Sequence, residues 1–381
     1  MRQAVAKEGV ISGPLEPQPF PPVGTIGRLI RVIVIPTASR PASIDARNSA
    51  MNKLHVLLMC GGGGSEHKIS LQSADFLQQQ LQALPGVDVT RVELLADRWQ
   101  TTCGETCTLG LDKVLRVGDS EQVIDYVVPC IHGFPGETGD IQSLLELAGL
   151  PYLGCGSEGS KLCFNKVSTK LWLTALGIPN TPYLFLSEDD SSAHAEAHQA
   201  MRRWGSVFVK AASQGSSVGC YKVTELGKLS DAIHDAFGYS AQVLVEKAVK
   251  PRELEVAVYQ YGDELVATRP GEICVPGDVF YSYDEKYSSG SGSTTRLDVT
   301  DLSAEQVQTI RTLALKAFRQ LKLKDLSRVD FFLTEDGEIL LNEINTFPGM
   351  TPISMFPKML EHHGHDFVQF LHQRILAAVG Q

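Results

Sequence analysis

From about residue 53 onward, apolar residues fall into short runs punctuated by glycine and proline, and the runs alternate between strand-like and helix-like spacing. The run Leu54-His55-Val56-Leu57-Leu58-Met59 reads as a strand that stops at Gly61-Gly62-Gly63-Gly64, with a helix expected from about Ser70. Tyr126 to Ile131 repeats the pattern. It is a short buried strand ending at His132-Gly133, followed by a helix from about Asp140 to Ala148. Strands alternating with helices predict a parallel sheet, with functional groups gathered at the strands' carboxyl ends. Glu66, His132 and Glu137 fall at those ends.

Further along, a helix over Val167 to Leu176 leads to a strand from Ser206 to Lys210, a loop from Ala211 to Gly219, and a strand from Gln242 to Glu246. Two hairpins follow, Leu254 to Ala267 around Gly262-Asp263 and Val329 to Asn345 around Asp336-Gly337. Between them, Ser303-Ala304-Glu305-Gln306 has the pattern of a capping box. The apolar stripe behind it, Val307, Ile310, Leu313, Ala314, Ala317, Phe318 and Leu321, has the spacing of a core-facing helix. No internal repeat is visible. The first 50 residues differ from the rest: they are rich in proline, show no sustained period, and precede a second methionine, Met51. Such a composition does not repay its ordering entropy, and a disordered extension is expected there.

Composition narrows the function. The chain has 381 residues, a length that suggests two or three domains. It carries 34 Lys+Arg against 44 Asp+Glu, a formal net charge of −10, which argues against a general nucleic-acid binder. No apolar run reaches the ~20 residues of a membrane helix, and Leu29 to Ile35 carries an Arg and stops at Pro36. The 8 cysteines are scattered without a C-x-x-C pair, which points to a reducing, cytoplasmic compartment rather than to disulfides or structural zinc. His194 and His198 lack a third ligand, and His362, His363 and His365 read as a solvated face.

Two features carry chemistry on their own residues. A two-residue loop at Asp336-Gly337 places Asp330 opposite Glu343 and Arg328 opposite Asn345, all on one face. Facing carboxylates repel, and a hard divalent cation such as Mg²⁺ removes the conflict by taking carboxylate and phosphate oxygens. The second is Lys210 with Gly215-Ser216-Ser217-Val218-Gly219. Small residues there let backbone N–H groups approach phosphate, although no Walker A pattern is present. Glu246-Lys247, at the end of a parallel-type unit, is placed to hold a base and ribose.

Together these pieces resemble the D-alanine–D-alanine ligases of the ATP-grasp superfamily, from about Met51 to the C-terminus. The resemblance rests on five segments in order. They are Gly61 to Ser70, His132 to Gly139 with Leu144 to Tyr152, Lys210 to Gly219, Tyr281 to Tyr287, and Asp330 to Thr351. It implies an α/β (α+β ATP-grasp) fold. A disordered extension (1–50) would precede an N-terminal parallel-sheet domain (51–160), then a central (161–250) and a C-terminal (251–381) ATP-grasp subdomain. Catalysis would fall to Glu66, Ser216, Tyr287, Arg328 and the Gly349 N–H. ATP would be bound by Lys166, Lys210, Glu246, Lys247, Glu253 and Lys286. The amino acids would be bound by Glu66, His132, Ser354 and Met355. Two Mg²⁺ (or Mn²⁺) would sit on Asp330, Glu343 and Asn345.

The resemblance further implies ATP and D-alanine as substrates, peptidoglycan precursor synthesis in the cytoplasm, and a homodimer bound to neither nucleic acid nor membrane. Tyr287 in the mobile loop goes with an amine nucleophile, hence a dipeptide product. The stretch Gly277 to Thr295 reads as the lid that keeps water from an acyl phosphate. The chain departs from the family pattern at Ala211, where proline is usual, at Asn165, where aspartate is common, and at Gly139 after Thr138. Two alternatives remain: a ligase of other specificity (D-serine, D-lactate or another amino acid), and a nucleotide-binding sensor without turnover.

Overall fold

The computed structural model describes residues 53–274 and 294–380. The expectations for residues 1–50, Lys286 and Tyr287 lie outside the described residues, as does nearly all of the expected lid.

Among the described residues, three sheets follow one another. The first holds β1 (Leu54–Gly61), β2 (Val87–Leu94), β3 (Trp99–Thr101), β4 (Thr106–Leu109), β5 (Val114–Val117), β6 (Ser120–Val123) and β7 (Tyr126–Pro129), in the order β6-β5-β4-β3-β2-β1-β7. Only β2, β1 and β7 are parallel. The remaining strands form an antiparallel meander. The expected parallel sheet is therefore real at one edge and extended antiparallel at the other. A parallel partner needs a crossover helix, and the tight turns between β2 and β6 leave no room for one. That crossover from β1 to β2 is α1 (His67–Gln82), which begins at His67 rather than near Ser70. Glu66 occupies its N-cap position without using its side chain as a cap. Helix α2 (Asp140–Ala148) packs Ile141 and Leu145 on the β1–β7 face through Leu57, Met59 and Val127.

After α3 (Ser157–Phe164) and α4 (Lys166–Ala175) comes a second sheet of β8 (Tyr183–Leu186), β9 (Val207–Ala211), β10 (Cys220–Val223) and β11 (Val243–Lys247). Its order is β10-β9-β11-β8, and every pairing is antiparallel. Glu246-Lys247 thus ends an antiparallel strand, not the parallel-type unit expected. Helices α5 (Ser191–Trp204) and α6 (Leu229–Phe237) cover one face with Ala197, Met201, Ile233 and Ala236.

The third sheet centres on β12 (Pro251–Tyr261), which pairs with β13 (Glu264–Ala267), β14 (Gly271–Cys274) and β16 (Leu326–Thr334). β15 (Thr294–Arg296) extends it beyond β14, and β17 (Ile339–Asn345) beyond β16. Helix α7 (Ala304–Gln320) covers it, and both bonds of the Ser303–Gln306 capping box are present. Of the expected stripe, only Leu313 is less than fully buried. Helices α8 (Met355–His362) and α9 (Phe367–Val379) fold back over the first sheet. There Phe356 and Phe370 share a core with Val56, Leu77, Tyr126 and Tyr259.

The β16–β17 hairpin reaches the expected pairing by a different route. Its turn spans three residues, since Thr334 N–H donates to Glu338 O and Gly337 takes φ +84°. That loop alone would set Asn342 opposite Asp330. A bulge at Asn342 restores the pairing, so Asp330 faces Glu343 and Arg328 faces Asn345.

Candidate active site

The carboxyl ends of β1 and β7, the β9–β10 loop and the β16–β17 end face one cleft of about 880 Å³. Each wall brings different chemistry.

The first wall is the α1 N-terminus. Ser70 Oγ accepts from Gly61 N–H at 2.7 Å and donates to Cys130 O at 2.5 Å, tying the helix start to both parallel strands. With its carboxylate free of capping, Glu66 reaches across to Ser216 Oγ at 2.5 Å. Ser216 and Ser217 hold φ of +48° and +62°, a backbone region that non-glycine residues rarely adopt. That turn aims the Ser216 hydroxyl at Glu66. Gly215 and Gly133 leave the carboxylate its place, because added Cβ atoms would lie 2.5 Å and 2.9 Å from Glu66 Oε2 and push that side chain aside.

The second wall carries the cations. Lys210 pairs with Glu246 from β9 to β11, and Lys170 Nζ lies 2.5 Å from the other Glu246 oxygen. Burial pushes the Glu246 carboxyl up, but Lys170 and Lys210 outweigh it and hold the pKa at about 2. Glu246 is 2 % exposed and Lys247 faces solvent, and neither lines the cleft. Lys166, Lys210 and Glu253 do line it. Lys166 Nζ donates to Gln214 O at 2.5 Å, at the foot of the Gly-Ser loop.

The third wall is the carboxylate hairpin. Arg328 donates to both Asp330 oxygens, at 2.8 and 2.7 Å, and Nε lies 3.2 Å from Glu255 on β12. Burial opposes the guanidinium charge, yet Asp330 and Glu255 more than offset it. Asn345 Nδ2 donates to Asp330 Oδ2 at 2.9 Å. Glu343, Gly349, Ser354 and Met355 complete this wall. Among the described residues, no group of three or more His, Cys, Asp or Glu is arranged to hold a metal ion. Asp330 on β16 and Glu343 and Asn345 on β17 offer hard oxygen donors at one end of the hairpin. A Mg²⁺ there would take its remaining oxygens from phosphate and water, as that ion commonly does.

Sequence reasoning left several residues of the cleft unassigned. Glu137 is half-buried and accepts from Gly133 N–H at 2.8 Å. Burial, then the charges of Glu66 and Glu343, raise its pKa. Its place in the His132–Gly139 segment was the available signal. Glu255, two residues beyond Glu253, carried only its spacing, as did Lys170, which lies buried behind the cleft wall against Glu246.

The family models described as D-ala D-ala ligase N-terminus and D-ala D-ala ligase C-terminus match residues 55–155 and 172–376. The D-alanine–D-alanine ligase of Tolumonas auensis is 72% identical over 329 residues, 86% of this chain and 100% of that protein. The chain belongs to the D-alanine–D-alanine ligase family. Among solved structures, D-alanyl-alanine synthetase A from Vibrio cholerae is 55% identical with a TM-score of 0.84, covering 87% of this chain and 100% of that one. The VanG D-Ala:D-Ser ligase from Enterococcus faecalis is 27% identical with a TM-score of 0.76, covering 86% and 99%. The fold is therefore that of the ATP-grasp ligases.

Against the ligase motifs, the three departures have local reasons. Ala211 N–H donates to Gly219 O at 2.8 Å, a bond proline cannot make. Asn165 caps α4 by accepting from Ser168 N–H at 2.8 Å, and its NH₂ donates to Ser213 Oγ at 3.0 Å, which a carboxylate could not do. Gly139 sits at φ +83°, where a Cβ would come within 2.4 Å of Ser157 O.

Proposed function

We propose that the chain joins two D-alanine molecules, at the expense of ATP, to give D-alanyl-D-alanine, ADP and phosphate. The observation that carries this reading is the 72% identity to a D-alanine–D-alanine ligase over that protein's whole length. The D-Ala:D-Ser ligase is far less similar, at 27%. The product is a peptidoglycan precursor, and we read the site of synthesis as the cytoplasm and the working unit as a homodimer. No described helix is long and apolar enough to cross a membrane.

A carboxylate is a poor acylating agent, so the first D-alanine must be phosphorylated before an amine can displace the phosphate. Phosphoryl transfer asks chiefly for positioning and charge neutralisation. In this reading Lys166 and Lys210 bind the ATP phosphates, with Glu246 holding Lys210 in place and Glu253 toward the ribose. Lys247 would contribute through its backbone, since its side chain faces solvent. Asp330, Glu343 and Asn345 hold Mg²⁺, which supplies charge neutralisation when bound. Glu66 takes the ammonium of the first D-alanine, and its bond to Ser216 fixes the carboxylate's direction. The amine of the second D-alanine, oriented by Ser354 and Met355, attacks the acyl phosphate. Arg328 and Gly349 N–H face the tetrahedral oxyanion, and loss of one such donor typically costs about 3 kcal/mol of transition-state stabilisation. Lys286 and Tyr287 belong to the same reading as the lid's contribution.

Phosphate release measured with ATP, Mg²⁺ and single or paired D-amino acids tests this. D-Alanine alone is expected to support turnover with D-alanyl-D-alanine as product. Turnover only with D-serine or D-lactate as second substrate would change the specificity, and ATP binding with no turnover would leave a sensor.

A further inference from the structure

The segment 346–350 runs from the end of β17 through Gly349, and its backbone is held from the far side of the cleft. Ser73, wholly buried on α1, accepts a hydrogen bond from Met350 N–H at 3.3 Å. The same hydroxyl lies 2.9 Å from His132 Nε2. That bond uses one of the two lone pairs of the hydroxyl, so the direction of the Ser73–His132 bond is set by where the ring carries its proton. The Phe347 backbone, whose carbonyl can only accept, favours a proton on the ring, and with Nε2 turned to Ser73 we assign that proton to Nδ1. Burial keeps the imidazole neutral, with its pKa down to about 4. A neutral imidazole has one donor and one acceptor, and these partners use both.

The bonds therefore run in one direction: Met350 N–H to Ser73, Ser73 O–H to His132, His132 Nδ1–H to Phe347. They grip the backbone on both sides of Pro348-Gly349. The far end of the segment is held as well, since Thr351 N–H donates to Ser354 Oγ at 3.0 Å. A Cβ on residue 349 would lie 2.9 Å from that oxygen.

We propose that Ser73 and His132 are positioning residues, which fix the Phe347–Met350 backbone and so aim the Gly349 N–H at the oxyanion, without touching substrate themselves. This replaces direct binding of D-alanine by His132, because neither ring nitrogen is left for a ligand. The proposal rests on the ligase reading, since Gly349 has an oxyanion to face only when an acyl phosphate is attacked. Misplacing a reacting group by about 1 Å can cost on the order of a hundredfold in rate.

Two measurements on the full chain test it. In protein labelled with ¹⁵N-histidine, the resonances lost in His132→Asn are expected to show a protonated Nδ1 and a bare Nε2, unchanged from about pH 8 to about pH 5. A protonated Nε2, or titration near the ordinary value, overturns the relay. In kinetics, Ser73→Ala is expected to lower kcat for dipeptide formation about tenfold or more while leaving KM for ATP within about twofold. Ser73→Thr, which keeps the hydroxyl, is expected to restore most of kcat. Undiminished kcat in folded Ser73→Ala overturns the role. Wild-type protein with the expected ring signature but no D-alanyl-D-alanine would sink the ligase reading, and this role with it, while the relay itself would stand.

Discussion

At the scale of single residues, burial decides which groups can change charge. His132 is 6 % exposed, and burial lowers its pKa to about 4 from an ordinary 6.5. The unfolded chain therefore binds a proton between those values that the folded chain refuses. The stability this group contributes is fully present above about pH 6.5 and is lost as pH falls toward 4, an effect on the order of 3 kcal/mol. Glu137 has the opposite sign. Its raised pKa lets the folded state hold an extra proton, and that contribution is lost as pH rises. A comparison of wild type with His132→Asn by chemical denaturation separates the two. Between neutral pH and pH 4 the wild type is expected to lose on the order of 3 kcal/mol more than the variant. Parallel profiles would show that His132 does not titrate as the structure implies. The sequence could place His132 at a strand end beside Gly133. It could not show that Nε2 of the ring meets Ser73, because the two residues are distant in the chain.

At the scale of elements, periodicity announced the long pieces and missed those that depend on partners. The α7 stripe and its capping box were legible because each signal lies within one helical turn of the next. The short strands β3 to β6 were not, because three or four residues each are too few to show a period. The carboxylate hairpin stands between these cases. Its pairing at Asp330 and Arg328 was legible, but a three-residue turn and a bulge at Asn342 had to compensate each other to produce it. Two glycines separate fold from function here. Gly337 has φ +84° and open space around it, so Gly337→Ala is expected to cost about 1 kcal/mol of stability and leave activity unchanged. At Gly215 no left-handed backbone is at stake, but a Cβ would lie 2.5 Å from the Glu66 carboxylate. Gly215→Ala is expected to leave the melting temperature nearly unaltered while lowering kcat/KM by about tenfold or more, through the broken Glu66–Ser216 bond. Full activity in Gly215→Ala would remove that bond from the machinery.

At the scale of the whole molecule, each sheet supplies one wall of the cleft: Glu66 and His132 from the first, Lys210 and Ser216 from the second, Arg328, Asp330 and Glu343 from the third. The four motif segments within the described residues were legible in order because each includes a strand end or a loop with unusual composition. Their convergence was not, since it depends on sheets that pair antiparallel and on C-terminal helices that share a core with β1. A ligand that touches all three walls binds only the folded arrangement, so it must raise the stability of the whole. At about a hundred times its dissociation constant the gain is about 2.7 kcal/mol, or several degrees in Tm. ATP with Mg²⁺ is expected to produce that shift, and ATP with chelator a smaller one. In Asp330→Ala the difference between the two conditions is expected to vanish, because the hairpin then lacks a carboxylate for the ion and Arg328 loses its bidentate partner. The readout is melting temperature, so it reports metal binding without requiring turnover. An undiminished Mg²⁺-dependent shift in Asp330→Ala would move the metal off β16 and leave Glu343 and Asn345 to account for it.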